Sequence, residues 1–137
     1  MFHLAIPVHD LQSAEAFYTC CLECTVGRRD AQWIDFNFFG HQLTVHAAGT
    51  NHDSVNCNPV DGHAVPSRHF GVILDWESWN ALAEKLGRRG VEFYIAPTIR
   101  FAGKVGEQGT FFIQDPSGNF LEFKTFKDTS RIFAVDP

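Results

Sequence analysis

The chain has 137 residues, enough for one compact domain or two small modules sharing a core, and its 45% hydrophobic and 14% aromatic content suits a packed globule. A formal charge of -5, with no basic run longer than Arg28-Arg29 or Arg88-Arg89, argues against a nucleic-acid surface. No apolar stretch approaches the ~20 residues of a membrane span, and the start lacks the basic residues and long apolar run of a secretory leader, so a cytoplasmic protein is expected.

His3 to Val8 is a short apolar run and reads as a first strand. Asp10 is placed to cap a helix carrying Leu11, Ala14, Phe17 and Tyr18 at helical spacing, with Gly27 ending that region. From Trp33 to Phe39, Ile34, Phe36 and Phe38 alternate with Asp35 and Asn37, so a strand is predicted. Gly40-His41 then makes a tight turn into a returning strand from Gln42 to Ala47. Residues 48–67 are rich in Gly, Asn, Asp and Pro without periodicity and read as a linker. His69 to Leu74 begins a second round. Asp75 caps a helix striped by Trp76, Trp79, Leu82, Ala83 and Leu86 and closed by Gly90. Glu92 to Ala96, Thr110 to Gln114 and Asn119 to Phe126 read as strands, the last two joined by the turn Asp115-Pro116-Ser117-Gly118.

The order strand, helix, three strands thus occurs twice, and the repeat is visible in the residues. His3-Leu4-Ala5-Ile6 matches His69-Phe70-Gly71-Val72, and Gly40 to His46 matches Gly118 to Lys124. The predicted fold class is α+β: two βαβββ modules over about 1–47 and 68–126 in a single domain spanning 1–137. Four cysteines are present. Cys21 and Cys24 form a C-x-x-C near a helix end, where the dipole disfavours a thiolate, so ordinary thiols are expected.

Two histidines at matched places, His3 and His69, and one carboxylate in a final strand, Glu122, make a two-His-one-carboxylate donor set. Such a set leaves metal positions open for water or substrate. A strand histidine taken singly is more often a core or surface residue; the coincidence of all three favours a site. His46 lies two residues beyond Thr44 on one strand face and is a candidate acid or base. Lys124 shares a face with Glu122 and is a candidate for the same chemistry or for attracting an anion. Arg100, Lys104, Glu107 and Gln108 fall in a segment where a lid could sit. His41, His52 and His63 fall in turns or the linker and read as ordinary surface residues.

With these runs, and with Asp10-Leu11, Ala16-Phe17-Tyr18 and Asp115 to Phe123, the chain resembles the vicinal oxygen chelate superfamily from Phe2 to about Phe126. That superfamily includes glyoxalase I, bleomycin-resistance proteins, fosfomycin-resistance transferases and extradiol dioxygenases. The resemblance implies paired modules forming an open, barrel-like cup, with metal ligands on the first and last strands of each module. His3, His69 and Glu122 match three of these positions. The fourth falls at Thr44, a poor ligand, which departs from glyoxalase I and leaves Thr44, with Arg100, as a substrate contact. The implied function is a metal-dependent enzyme nearest in ligand set to a dioxygenase acting on a small vicinal-oxygen substrate, with Fe, Mn, Zn or Ni. The alternatives are a thiol transferase, isomerase or lyase using the metal as a Lewis acid, or a non-catalytic binder of small molecules. A homodimer is expected, either with or without exchange of modules, and the apolar tail residues Ile132, Phe133 and Val135 are expected to pack against something.

Overall fold

The computed structural model describes residues 1–49 and 56–135. The first module runs β1 (His3–Val8), α1 (Leu11–Ala16), a π-helical turn (Phe17–Cys21), β2 (Thr25–Arg29), β3 (Trp33–Phe38) and β4 (His41–Ala47). Asp10 caps α1 as its sequence implies, accepting a hydrogen bond from the Ser13 amide at 2.8 Å. Gly27 does not end the helical region; it lies inside β2, where its bare face sits against Asp35. The β3–β4 turn falls one residue earlier than expected. Phe39 and Gly40 both have positive φ, 52° and 87°, the signature of a two-residue hairpin turn. Phe39 tolerates that conformation with its ring packed against Phe38 and Phe123.

Residues 48–67 do more than link. Cys57–Val60 and His63–Pro66 form a hairpin, β5 and β6, joined by Asp61 and Gly62, whose φ values of 49° and 79° again mark a two-residue turn. An Asp-Gly pair is a strong hairpin signal. It was hidden here because the flanking Cys57-Asn58-Pro59-Val60 does not alternate.

The second module continues as β7 (Phe70–Leu74), α2 (Trp76–Arg88), β8 (Phe93–Arg100), β9 (Gln108–Gln114) and β10 (Phe120–Phe126). Asp75 caps α2 through the Ser78 amide at 2.8 Å, and Trp79, Leu82 and Leu86 form its buried stripe. β8 runs four residues beyond the predicted Ala96, up to Arg100. The two four-stranded sheets have matching orders, β1-β4-β3-β2 and β7-β10-β9-β8, with the first and last strands of each module parallel. Register is matched as well: Ala5 faces Thr44 as Gly71 faces Glu122. The fold is therefore the mixed α+β pair of modules that the repeat implies.

Side-chain alternation divides each sheet into two faces. Leu43, Val45, Leu121 and Phe123 point toward the helices and are buried. Phe111 stacks on Phe123 with centroids 5.2 Å apart, and Phe38 reaches Phe123 across the module boundary at 6.3 Å, so one core serves both modules. Each such ring contributes about 1.5–3 kcal/mol of burial. Trp79 donates from Nε1 to the Phe123 carbonyl at 2.9 Å and so fixes α2 onto β10. Tyr18 of the π-helical turn donates to Asp115 at 2.9 Å, joining the first helix to the second module's last turn.

Burial pushes the Cys24 thiol up to about 11 and raises that of the half-buried Cys21. Neither is held as a thiolate, as expected for ordinary thiols. In the tail, Phe133 and Val135 are exposed at 93% and 91%, so within this chain they do not make the packing their apolar character suggested.

Candidate functional site on the second sheet

The face of each sheet away from the helices carries the polar residues. On β10 these are Glu122 and Lys124, each half-buried, between the buried Leu121, Phe123 and Thr125. His69 enters just before β7. Its Nε2 lies 2.9 Å from Glu122 Oε2, and its Nδ1 lies 2.7 Å from the Pro66 carbonyl. A carbonyl oxygen can only accept, so Nδ1 carries a proton and Nε2 is the nitrogen directed at the carboxylate. Thr110 of β9 donates to the other oxygen, Glu122 Oε1, at 2.7 Å. Phe112 packs edge-on against the imidazole at 5.1 Å.

These contacts tune both groups. The hydrogen bond with Glu122 raises the His69 pKa above its ordinary value, against the opposing pull of burial. For Glu122, burial pushes upward, but the bonds from His69 and Thr110 outweigh it and the carboxyl is held below its usual value. The pair suits a divalent metal. One imidazole nitrogen is locked by a backbone carbonyl, so a metal replacing the proton between Nε2 and Glu122 would meet both as ligands, with the carboxylate oriented by a hydroxyl.

The third expected ligand is elsewhere. His3 is exposed at the start of β1, opposite Gln42. Hydrogen bonds to the second module come from the other end of β1: Asn119 donates to the Pro7 carbonyl at 2.9 Å, and Ser117 accepts from the His9 amide at 2.8 Å. His69 borders a cavity of about 280 Å³ together with Ala5 and Pro7. Leu4, the neighbour of His3, borders it as well, but His3 itself does not. Among the described residues of one chain, no three His, Cys, Asp or Glu side chains are grouped to hold a metal. A site completed within one chain is thus not seen among the described residues, and the alternative with exchanged modules is the one left to consider. A pseudo-twofold makes positions equivalent without making them adjacent.

The other candidates are dispersed. Thr44 is buried and gives its proton to Asp35 Oδ1 at 2.6 Å, while Gln42 donates to the other oxygen at 3.1 Å. Its hydroxyl is thus committed to the protein. His46 lies exposed on β4, opposite Pro7 and Trp33. Lys124 is near enough to His69 to oppose its protonation and holds its ammonium 5.5 Å over the Phe126 ring. Arg100, at the end of β8, pairs with Asp61 of the hairpin. His41 accepts a bond from the Phe2 amide at 3.0 Å, and His52 lies outside the described residues. A cleft of about 660 Å³ lies along α2 beside Glu23 and Lys85 and is bordered by none of the expected site residues.

Sequence reasoning missed Thr110 and Asp35, whose roles depend on cross-strand pairing, and His63, which the hairpin carries to a cavity beside Glu122. For His63 the signal was present in the adjoining Asp61-Gly62.

No helix among the described residues is long and apolar enough to cross a membrane. A comparison with functionally curated proteins finds no match. Among solved structures, a glyoxalase/bleomycin resistance protein/dioxygenase from Alicyclobacillus acidocaldarius is 36% identical, with a TM-score of 0.81 over 97% of this chain and 96% of that one. Two others share the fold at lower identity. A fosfomycin resistance protein from Listeria monocytogenes is 15% identical, with a TM-score of 0.66 over 91% of each chain. A lactoylglutathione lyase from Agrobacterium tumefaciens is 16% identical, with a TM-score of 0.63 over 93% of each chain. The family model of the Glyoxalase/Bleomycin resistance protein/Dioxygenase superfamily matches residues 1–123, and the chain belongs to that superfamily.

Proposed function

We propose that this protein is a metal-dependent enzyme acting on a small substrate with two adjacent oxygens, and that His69 and Glu122 hold the metal. The observation that carries this reading is the fixed pair itself: Nδ1 of His69 bound to Pro66, Nε2 turned to Glu122, and Thr110 holding the second carboxylate oxygen. A divalent Fe, Mn, Zn or Ni ion at such a pair would polarise substrate oxygens, and iron would add oxygen chemistry.

His3 would complete the donor set from a second copy of the chain, because the described residues of one chain form no group of three donors. Pairing of two copies as a homodimer is supported by an apolar groove of about 640 Å³ bordered by Phe2, Ile73 and Phe133. All three of those side chains are exposed in one chain. His46, on the same module as His3, would then arrive with it and supply an imidazole for proton transfer. Lys124 would draw an anionic substrate toward Glu122.

The donor set of two histidines and a carboxylate favours a dioxygenase-like reaction. The fold shared with the fosfomycin resistance protein and the lactoylglutathione lyase favours, as a second reading, Lewis-acid transferase or lyase chemistry. Elemental analysis of anaerobically purified protein separates the two. About one iron per chain is expected for the first reading; zinc, manganese or nickel supports the second; and no metal in any preparation refutes both, leaving a small-molecule binder. His69→Ala and Glu122→Ala should each lose most of the metal while keeping the fold. Mixing His3→Ala with Glu122→Ala protein should restore about one site per mixed dimer. A sedimentation mass of a single chain would exclude the shared site.

A further inference from the structure

The β5–β6 hairpin lies over the polar face of the second sheet. Tyr94 of β8 donates to the Ala64 carbonyl at 2.8 Å, and Asp61 in the turn lies 2.5 Å from Arg100 Nε. Under the hairpin is a cavity of about 90 Å³ bordered by Arg100, His63, Thr98, Thr110, Phe112 and Glu122. At about 30 Å³ for each water in the liquid, it has room for about three waters, or one small oxyanionic group.

The charges around this cavity are unevenly satisfied. Glu122 has its oxygens turned to His69 and Thr110, whose contacts offset its charge, and it makes no ion pair with Arg100. The Arg100 guanidinium lies 4.9 Å over the Phe101 ring, which holds its plane in place. Its Nε is buried and, although close to Asp61, lacks the alignment of a hydrogen bond. A guanidinium binds best to a planar oxyanion that can meet two of its N–H groups at once. Asp61, fixed in a two-residue turn, reaches it as a charge without that fork.

We propose that the cavity beneath the hairpin recognises the small oxyanionic group of a substrate, a carboxylate or phosphonate, with Arg100 as the recognising cation. Asp61 is its tethered stand-in. Exchange of Asp61 for the incoming anion frees the hairpin turn and places the bound group beside Glu122. This deepens the metal-enzyme reading and rests on it for any chemistry after binding; the anion site itself requires no metal.

The probes are acetate and methylphosphonate, with acetamide as the neutral control, titrated into the full chain while the amide resonances of residues 60–63 and 98–100 are monitored. Both anions should give saturable shifts there, and acetamide none. Asp61→Asn removes the competing charge but suits the positive φ at that turn position, so the hairpin is kept. It should bind the anions about two- to fivefold tighter, as removal of a half-exposed ion-pair competitor implies. Arg100→Gln should abolish the shifts. No saturable binding to Asp61→Asn, unchanged or weaker binding in that variant, or full binding in Arg100→Gln would overturn the proposal. The His69→Ala variant separates this idea from the metal reading: it should lose metal and still bind the anions.

Discussion

Gly71→Ala tests how closely the second module's first and last strands are built around the site. Gly71 pairs with Glu122, and a Cβ placed on it would lie 1.6 Å from the Glu122 carbonyl oxygen and 2.6 Å from its carbonyl carbon. Real Cβ contacts essentially never fall below 3.0 Å, so something must move. The obstacle is backbone, and β10 is held on both sides, by β7 and by β9. The remaining response is for β7 to separate from β10. Overpacking of this kind costs about 1–3 kcal/mol, and each ladder hydrogen bond lost adds about 1 kcal/mol. We expect a loss of about 3 kcal/mol or more in urea unfolding monitored by circular dichroism. The melting temperature should fall by about 10 °C, at a few degrees per kcal/mol. Metal content should fall with stability, because the displaced peptide carries Glu122. Gly87→Ala in α2 is the matched control. Nothing lies within 4 Å of its Cβ, and a helical alanine should gain about 0.5–1 kcal/mol. If Gly71→Ala unfolds within about 0.5 kcal/mol of the parent, the close approach of these strands is wrong.

Single contacts yield further expectations. Thr44→Val keeps volume but leaves buried Asp35 without its donor at 2.6 Å, so it should cost about 1–3 kcal/mol while metal content stays unchanged. Stoichiometric metal loss in that variant would return Thr44 to the ligand set. Thr110→Val should leave Glu122 less well held and weaken metal affinity about 10-fold or more in a chelator competition; an unchanged affinity would show that the hydroxyl does not orient the carboxylate. With its thiol pushed up to about 11, Cys24 should resist iodoacetamide at pH 8 and become reactive only as pH climbs toward that value. Mass spectrometry showing Cys24 alkylated as fast as exposed Cys20 at pH 8 would contradict the burial argument.

The repeat, the two helices with their Asp10 and Asp75 caps, and the alternating strands around Phe36 and Phe123 were legible in the sequence. Each rests on local chemistry: a capping carboxylate, a helical stripe, a period of two. So were the matched positions of His3 with His69 and of Thr44 with Glu122. Strand β2, implied by the βαβββ order, was not located because Thr25-Val26-Gly27-Arg28-Arg29 is mostly exposed and offers no apolar alternation. Which candidates meet was decided by the tertiary structure. Sequence repetition fixes equivalence under a rotation, and distance depends on where the axis falls. Pairing of β7 with β10 joins His69 to Glu122, while His3 stays at the start of its own strand. Cross-strand register likewise brought Thr44 to Asp35 and Thr110 to Glu122, and folding of the hairpin brought Asp61 to Arg100. These pairings join residues separated along the chain, and no local pattern specifies them.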